Sequence, residues 1–368
     1  MFFSSILLVA LLLIGLSSCS QFGQLPSGRH LQKIKKSNNF SKEKEQFVNR
    51  RPNLFDKIRK RMEAESLWYD FFFGGGNQRT PKEKLPEVVP NLQDFLKKSD
   101  HIKVIWLGHS TLLINLGGKV LLLDPIFSGA ASPVPFVVRR FQPPVVKLKD
   151  LPHIDYVVIS HDHYDHLDRD TVKYFRDKQT LFLVPLGVGA RLKGWGIKKE
   201  KITELDWWEN FKSGGLTFTA TPAQHFSGRS LFDRNKTLWA GWVIEKGAQK
   251  VFFSGDTGFD SHFKDIGKKL GPFDIAFLEN GQYNVLWREA HLLPKEVPQA
   301  FFDVNAKYLI PIHWAMFEIA LHPWYEPGEK IKINAKEKGI NLLTPKIGQM
   351  IELGKNQKTT FWWESLIK

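Results

Sequence analysis

Short apolar runs recur from about His101 to the C-terminus, separated by polar or glycine-containing breaks. Ile102–Leu107, Leu112–Leu116 and Val120–Leu123 read as three strands, the last two joined by a Gly117-Gly118 hairpin signal. Further strands are expected at Ile154–Ile159, Leu181–Val184, Leu216–Ala220, Trp239–Ile244, Val251–Phe253, Ile275–Leu278 and Tyr308–Ile312. Helical spacing predicts helices at Asp168–Arg176, in the residues leading to Lys193, near Pro294–Asp303 and at Ile331–Lys338. Strands followed by mixed β and α, twice over, predict an α/β fold of two packed sheets with helices outside. No internal repeat or low-complexity tract interrupts this pattern.

The residues before His101 differ. Ile6–Leu16 is a short apolar run leading to Leu16-Ser17-Ser18-Cys19. It is shorter than the roughly 20 residues of a membrane span and fits the apolar core of a secretory signal. Residues 20–52 are basic, with Lys33, Lys35, Lys36, Lys42, Lys44, Arg50 and Arg51, and are expected to be a tether. The folded unit is expected over 53–368, opening with a helix at Asn53–Trp68 whose Leu54, Ile58, Met62 and Leu67 share a side. Gly74-Gly75-Gly76 breaks that helix and lacks the lysine of a phosphate-binding loop.

The chemistry concentrates at Ser160-His161-Asp162-His163-Tyr164-Asp165-His166-Leu167-Asp168, between an expected strand and an expected helix. Imidazole and carboxylate are good zinc ligands, and strand-to-helix loops are where sites are assembled. His161 and His163, two apart, can share one metal, while Asp165 and His166 face a second. More ligand types follow other strands: His225 after Thr219–Gln224, Asp256 within Gly255-Asp256-Thr257-Gly258, and His313 after Leu309–Ile312. His109 and Asp124 follow the first strands and are expected as supporting or pocket residues.

The ordered set HxHxDH, His, GD, His resembles the metallo-β-lactamase-fold superfamily. Trp106–Thr111, Leu123-Asp124-Pro125, His161–Asp168, Thr221–His225, Gly255–Gly258 and Pro311–Trp314 are similar, in order, to the N-acylphosphatidylethanolamine-hydrolysing phospholipase D family. Arg79-Thr80-Pro81 extends the likeness toward residue 50. The resemblance implies a four-layer αββα sandwich and two zinc ions. His161, His163 and His225 would hold one, Asp165, His166 and His313 the other, and Asp256 with a hydroxide would bridge them. It also implies a role for His291, ahead of Leu293-Pro294, beside the substrate. Asp165 and His291 are then the expected catalytic residues, with hydroxide attacking phosphorus. A lactonase or carboxylic-ester hydrolase on the same site, and an envelope scaffold with a vestigial site, are the competing expectations.

Composition sharpens the partner. Lys and Arg number 52 against 38 Asp and Glu, a net charge of +14, which favours anionic partners. No inserted clamp domain is visible, so a phospholipid or other anionic amphiphile is expected rather than nucleic acid. Phe226, Leu286, Trp287, Trp314, Met316, Phe317 and Trp324 could line an acyl-chain groove. Cys19 is the single cysteine, which excludes an intrachain disulfide. The small residues before it resemble a bacterial lipoprotein signal, implying cleavage after residue 18, lipidation of Cys19 and anchoring at the cell envelope, with the outer membrane favoured because Ser20 follows.

Overall fold

The structure, a computed structural model, describes residues 20–64, 78–355 and 359–367. The expected signal over 1–19, Cys19, the Gly74–Gly76 break and the end of the expected helix at Trp68 lie outside these residues.

Residues 20–52 do not form the expected tether; they fold onto the body. They carry helix α1 (Gly28–Ile34) and a hairpin of β1 (Phe40–Ser41) and β2 (Gln46–Phe47). Ile34, Phe40 and Phe47 are buried in the main core, and Phe40 meets Phe47 edge to face at 5.3 Å. The lysines that made this stretch read as a linker stay largely at the surface while three apolar side chains carry the docking. Helix α2 (Leu54–Ala64) and a short helix α3 (Leu92–Leu96) follow.

The first sheet holds β3 (Lys103–Trp106), β4 (Leu112–Leu116), β5 (Lys119–Leu123), β6 (Tyr156–Val158), β7 (Leu181–Pro185) and β8 (Ile202–Leu205) in that spatial order. Helices α4 (Arg169–Tyr174) and α5 (Val188–Gly194) connect β6 to β7 and β7 to β8, which are parallel. The second sheet holds β9 (Asn210–Ser213), β10 (Leu216–Thr221), β11 (Gly241–Lys246), β12 (Gln249–Phe253), β13 (Phe273–Glu279) and β14 (Ala306–Ile312). Here α6 (His262–Leu270) and α7 (Val297–Val304) cross between the parallel strands β12, β13 and β14. Helix α8 (Glu326–Lys338) leads back to β15 (Met350–Glu352), which pairs with β3 and closes the first sheet.

Alternation along the strands makes the layers. In β5, Leu121 and Leu123 enter the central core, while Val120 and Leu122 enter an outer one with Val172, Val188 and Leu192 of α4 and α5. In β12, Val251 and Phe253 face the centre and Phe252 faces outward to Phe263, Ala300 and Ile331 of α6, α7 and α8. Strands buried on both faces read as continuous apolar runs, and the central core with its two outer ones gives the order helix, sheet, sheet, helix. This is the αββα sandwich expected. Among the described residues, no helix is long and apolar enough to cross a membrane.

Candidate metal centre

Every anticipated ligand lies just beyond the carboxyl end of a strand. His161–His166 follow β6, His225 follows β10, Asp256 follows β12 and His313 follows β14. Because β12, β13 and β14 run parallel, and β5 runs parallel to β6, these ends meet along one edge of the sandwich. His109 and Asp124 reach the same edge after β3 and β5.

Two groups of donor atoms result. In the first, His161 Nε2 lies 2.9 Å from His163 Nδ1, and His225 Nε2 lies 3.2 Å from it. In the second, His166 Nε2 and His313 Nε2 each lie 3.3 Å from Asp165 Oδ2. Asp256 Oδ2 stands between them, 3.1 Å from both His166 and His313 and 3.8 and 3.9 Å from His225 and His161. All seven side chains are buried or nearly so.

The rings are oriented from behind. His161 Nδ1 lies 2.9 Å from Ser160 Oγ, which donates to Asp124 at 2.5 Å. His166 Nδ1 donates to Asp124 at 2.7 Å, and His225 Nδ1 donates to the carbonyl of Ala290 at 3.0 Å. With their outer nitrogens engaged, these rings turn their Nε2 atoms toward Asp256 Oδ2. Tetrahedral zinc with bonds near 2.0–2.1 Å would set its ligand nitrogens about 3.3 Å apart, the scale of the separations found here. His166 Nε2 and Asp256 Oδ1 are moreover buried without a hydrogen-bond partner, each an omission costing about 1–3 kcal/mol. Donor type, spacing and these orphaned atoms therefore fit a pair of divalent cations.

Electrostatics agree. Burial works against the charged form of His313, but Asp256 and Asp165 overcome it and hold the ring up at about 10. His166 is raised in the same way, burial being outweighed by Asp256 and Asp165. His161 and His225 are pushed well down, by burial first and by neighbouring imidazoles. A cluster of carboxylates and histidines that must share protons so unevenly is one that a cation can take over.

The supporting residues fall where expected. Asp124 accepts from Ser160 N, Ser160 Oγ and His166 Nδ1 at 2.7, 2.5 and 2.7 Å, a fully buried brace beneath the loop. His109 Nε2 lies 2.9 Å from Asp165 Oδ2, and burial with His313 alongside holds its pKa down at about 3, so the neutral ring donates to the carboxylate. His109, Asp124 and His313 all have positive φ, at 50°, 37° and 68°. Non-glycine residues there are strained, and such strain gathers at functional sites. Gly255, at φ 57°, also has no alternative: a Cβ would stand 2.7 Å from that of Ser160.

His291 also arrives at the centre. Its ring lies 5.2 Å from that of His313 in a parallel stack and 5.0 Å from that of His225. Burial pushes its pKa down to about 4. What holds it is a residue the sequence reading missed: Glu279, the last residue of β13, whose Oε2 lies 2.8 Å from His291 Nδ1. The amide of Leu292 donates to Glu279 Oε1 at 2.5 Å. Burial, then Asp256, raises the Glu279 carboxyl well above its usual range. A glutamate closing an otherwise apolar strand run was the available signal.

The expected acyl-chain lining divides. Trp314, Met316, Phe317 and Trp324 are core residues, because the loop after β14 turns inward to stack Trp314 on Trp106 at 5.7 Å. Phe226, Leu286 and Trp287 are partly exposed, and Phe226 and Trp287 pack with Leu54 and Ile58 of α2 beside the site.

Comparison with known proteins agrees with this geometry. Residues 119–314 match the model of the β-lactamase superfamily domain. The chain is 41% identical over 288 residues to an uncharacterized protein of Mycobacterium tuberculosis, covering 77% of each. It is 40% identical over 298 residues to N-acyl-phosphatidylethanolamine-hydrolyzing phospholipase D 1 of Caenorhabditis elegans, covering 75% of this chain and 83% of that one. Among solved structures, a metallo hydrolase from the archaeon Ignicoccus hospitalis superposes with a TM-score of 0.54 at 20% identity, over 70% of this chain and all of that one.

Proposed function

Because the chain belongs to the metallo-β-lactamase superfamily as a metal-dependent hydrolase, we propose that it is a di-zinc phosphodiesterase of phospholipase D type. Its substrates are N-acylphosphatidylethanolamine-like phospholipids, cut between phosphorus and the headgroup oxygen. The observation carrying this reading is the intact, buried set of five histidines and two aspartates, with His291 held beside it by Glu279. The relative named for that activity supports the substrate class, and the basic balance of the chain suits an anionic lipid.

His161, His163 and His225 would hold one cation and Asp165, His166 and His313 the other, with Asp256, whose Oδ2 stands between the two groups, available to both. Bound there, two zinc ions supply Lewis-acid polarisation of the phosphoryl oxygens and acidify a water to yield hydroxide near neutral pH. Asp165, whose Oδ2 accepts from His109, would serve its cation and orient the attacking water. His291, with Nδ1 engaged by Glu279, has only Nε2 left to meet a phosphoryl or leaving-group oxygen. The same reading anchors the chain through a lipidated Cys19 in a bacterial envelope, at the outer membrane.

The test is a panel of phosphodiesters, lactones and carboxylic esters offered to the zinc-loaded full chain, with metal content measured alongside. Phosphatidic acid released from N-acylphosphatidylethanolamine is the expected product. Cleavage of lactones or carboxylic esters alone would overturn the phosphodiesterase reading in favour of the ester-hydrolase one. A chain that binds no metal would leave only the scaffold.

A further inference from the structure

His225 needs an anchor that its strand does not supply. It stands four residues past the end of β10, whereas Asp256 follows β12 by three residues and His313 follows β14 directly. His225 is buried, so its backbone N–H and C=O must find partners inside the protein. Both partners come from one side chain. The amide of His225 donates to Asn49 Oδ1 at 3.0 Å, and Asn49 Nδ2 donates to the carbonyl of His225 at 2.7 Å. A carboxamide offers an acceptor on one arm and a donor on the other, and so matches a single residue as a neighbouring strand would. The imidazole is aimed by a further contact, Nδ1 donating to the Ala290 carbonyl at 3.0 Å, which leaves Nε2 beside His163.

Asn49 is itself firmly held. It follows the β1–β2 hairpin, whose Phe40 and Phe47 are buried in the main core, and Phe47 N donates to the carbonyl of Asn235 in the segment after His225. Upstream, the carbonyls of Ser20, Gln21 and Phe22 accept from Trp195, Arg229 and Arg191, which ties the start of the segment to the body. Downstream, Arg50 pairs with Asp265 at 2.7 Å and Arg51 with Asp260 at 3.1 Å, in the stretch that follows Asp256. Leu54 and Ile58 of α2 pack on Ala290, the acceptor of the His225 ring, and Arg61 donates to the carbonyl of Leu286 and pairs with Glu289. Residues 47–61 thus reach the backbone of His225, the partner of its ring and the neighbours of His291. They lie outside residues 119–314, the part that matches the superfamily domain.

We propose that Asn49 is a positioning residue of the metal centre, its carboxamide holding the His225 backbone so that Nε2 faces the cation of His161 and His163. The N-terminal segment delivers that side chain from outside the matched domain. Releasing Asn49 loosens one ligand of one cation. The ligands of the other are braced elsewhere, His166 by Asp124 and Asp165 by His109. The inference rests on the two-cation reading of the site and not on which ester the site cleaves.

The test loads the full chain with zinc alone and reads each affinity by competition with a chromophoric chelator. Asn49→Leu keeps the size of the side chain and removes both hydrogen bonds. It is expected to weaken one of the two zinc ions by about 10–100-fold, the range for a residue that orients a metal ligand, while the other stays as tight as before. Cobalt loaded in place of zinc should show the same asymmetry, with the visible spectrum of one site altered and the other retained. Asn49→Asp keeps the acceptor for the His225 amide and should fall between the natural chain and Asn49→Leu, and it serves as the test if Asn49→Leu does not fold. Phe47→Leu is the control: it thins the core beneath the same hairpin and should lower the denaturant midpoint of the metal-free chain with both zinc affinities unchanged. Two ions held as tightly without the Asn49 carboxamide as with it would overturn the proposal. So would equal weakening of both ions in the Asn49 and Phe47 variants, since Asn49 would then only stabilise the fold. A natural chain that binds fewer than two ions would overturn the two-cation reading together with the proposal, whereas the first two outcomes overturn the proposal alone.

Discussion

The two sheets deliver their ligands in opposite ways. The first sheet places His161, His163, Asp165 and His166 in one turn after β6, and such a crowded turn needs outside support. That support is polar: Asp124 and Ser160 beneath it, and the Asp162–Arg191–Asp233 ion pairs behind it, at 3.0 and 2.7 Å. The second sheet places His225, Asp256 and His313 one at a time, each shortly after a different strand, with the His225 backbone held by the Asn49 side chain and its Nδ1 by the Ala290 carbonyl. One half is positioned by a buried ion-pair network behind a single loop, the other mainly by where three separate strands end. The first should therefore be more sensitive to distant polar substitutions, and the second chiefly to changes at or beside the ligand itself.

The largest effect is expected where both halves meet. Asp256→Ala removes the carboxylate that stands between the two donor groups, and metal analysis is expected to fall from two ions toward one. Activity should drop at least about a thousandfold, since Lewis-acid stabilisation is worth several kcal/mol. Retention of two ions and full turnover would dissolve the two-half description.

Next comes the polar support. Arg191→Met leaves Asp162 and Asp233 buried without their cation, which should cost about 3–5 kcal/mol in a denaturant titration of the metal-free chain. Should stability be unchanged, the loop is held by its ligands rather than by its network. A milder probe of the same half is Asp124→Asn, expected to weaken metal affinity by about 10–100-fold with the fold intact. Competition with a chromophoric chelator measures it.

Protons sharpen the contrast. In the metal-free site Asp256 and Asp165 hold His313 up at about 10 against burial and raise His166 as well, so both rings tend to carry a proton that a cation must displace. Metal affinity should then fall as pH falls, by about tenfold per unit for each proton released. A pH-independent affinity would show that these rings already face the cation unprotonated. The smallest expected effect is Glu279→Gln, which keeps the shape but alters the partner of His291 Nδ1. Two metals should stay bound while kcat falls about tenfold and its pH profile shifts. Loss of metal would instead make Glu279 part of the metal support.

Much of this was legible in the chain. Apolar runs located β3 to β7 and β10 to β14 closely, because strands buried on both faces must be apolar throughout. The missed strands β8, β9 and β15 are edge or near-edge elements whose half-polar sequences carry no such signal. The N-terminal misreading has the same root: lysine density suggested a linker, and only contact with the core showed that Ile34, Phe40 and Phe47 suffice to dock it.

The sequence by itself determined the ligand types, their order and their attachment to strand ends, since donor chemistry and strand periodicity are written locally. Only the tertiary structure decided the rest. It alone sets Asp256 between the two groups, brings Glu279 to His291 across 12 residues and His109 to Asp165 across 56, and separates Trp314 in the core from Phe226 beside the site. It also decided that Ser20–Phe22 is strapped beneath the metal loop. The physical reason is common to all of these: which strand ends meet, and which loop turns inward, depends on how two twisted sheets pack, and no local window of sequence contains that packing.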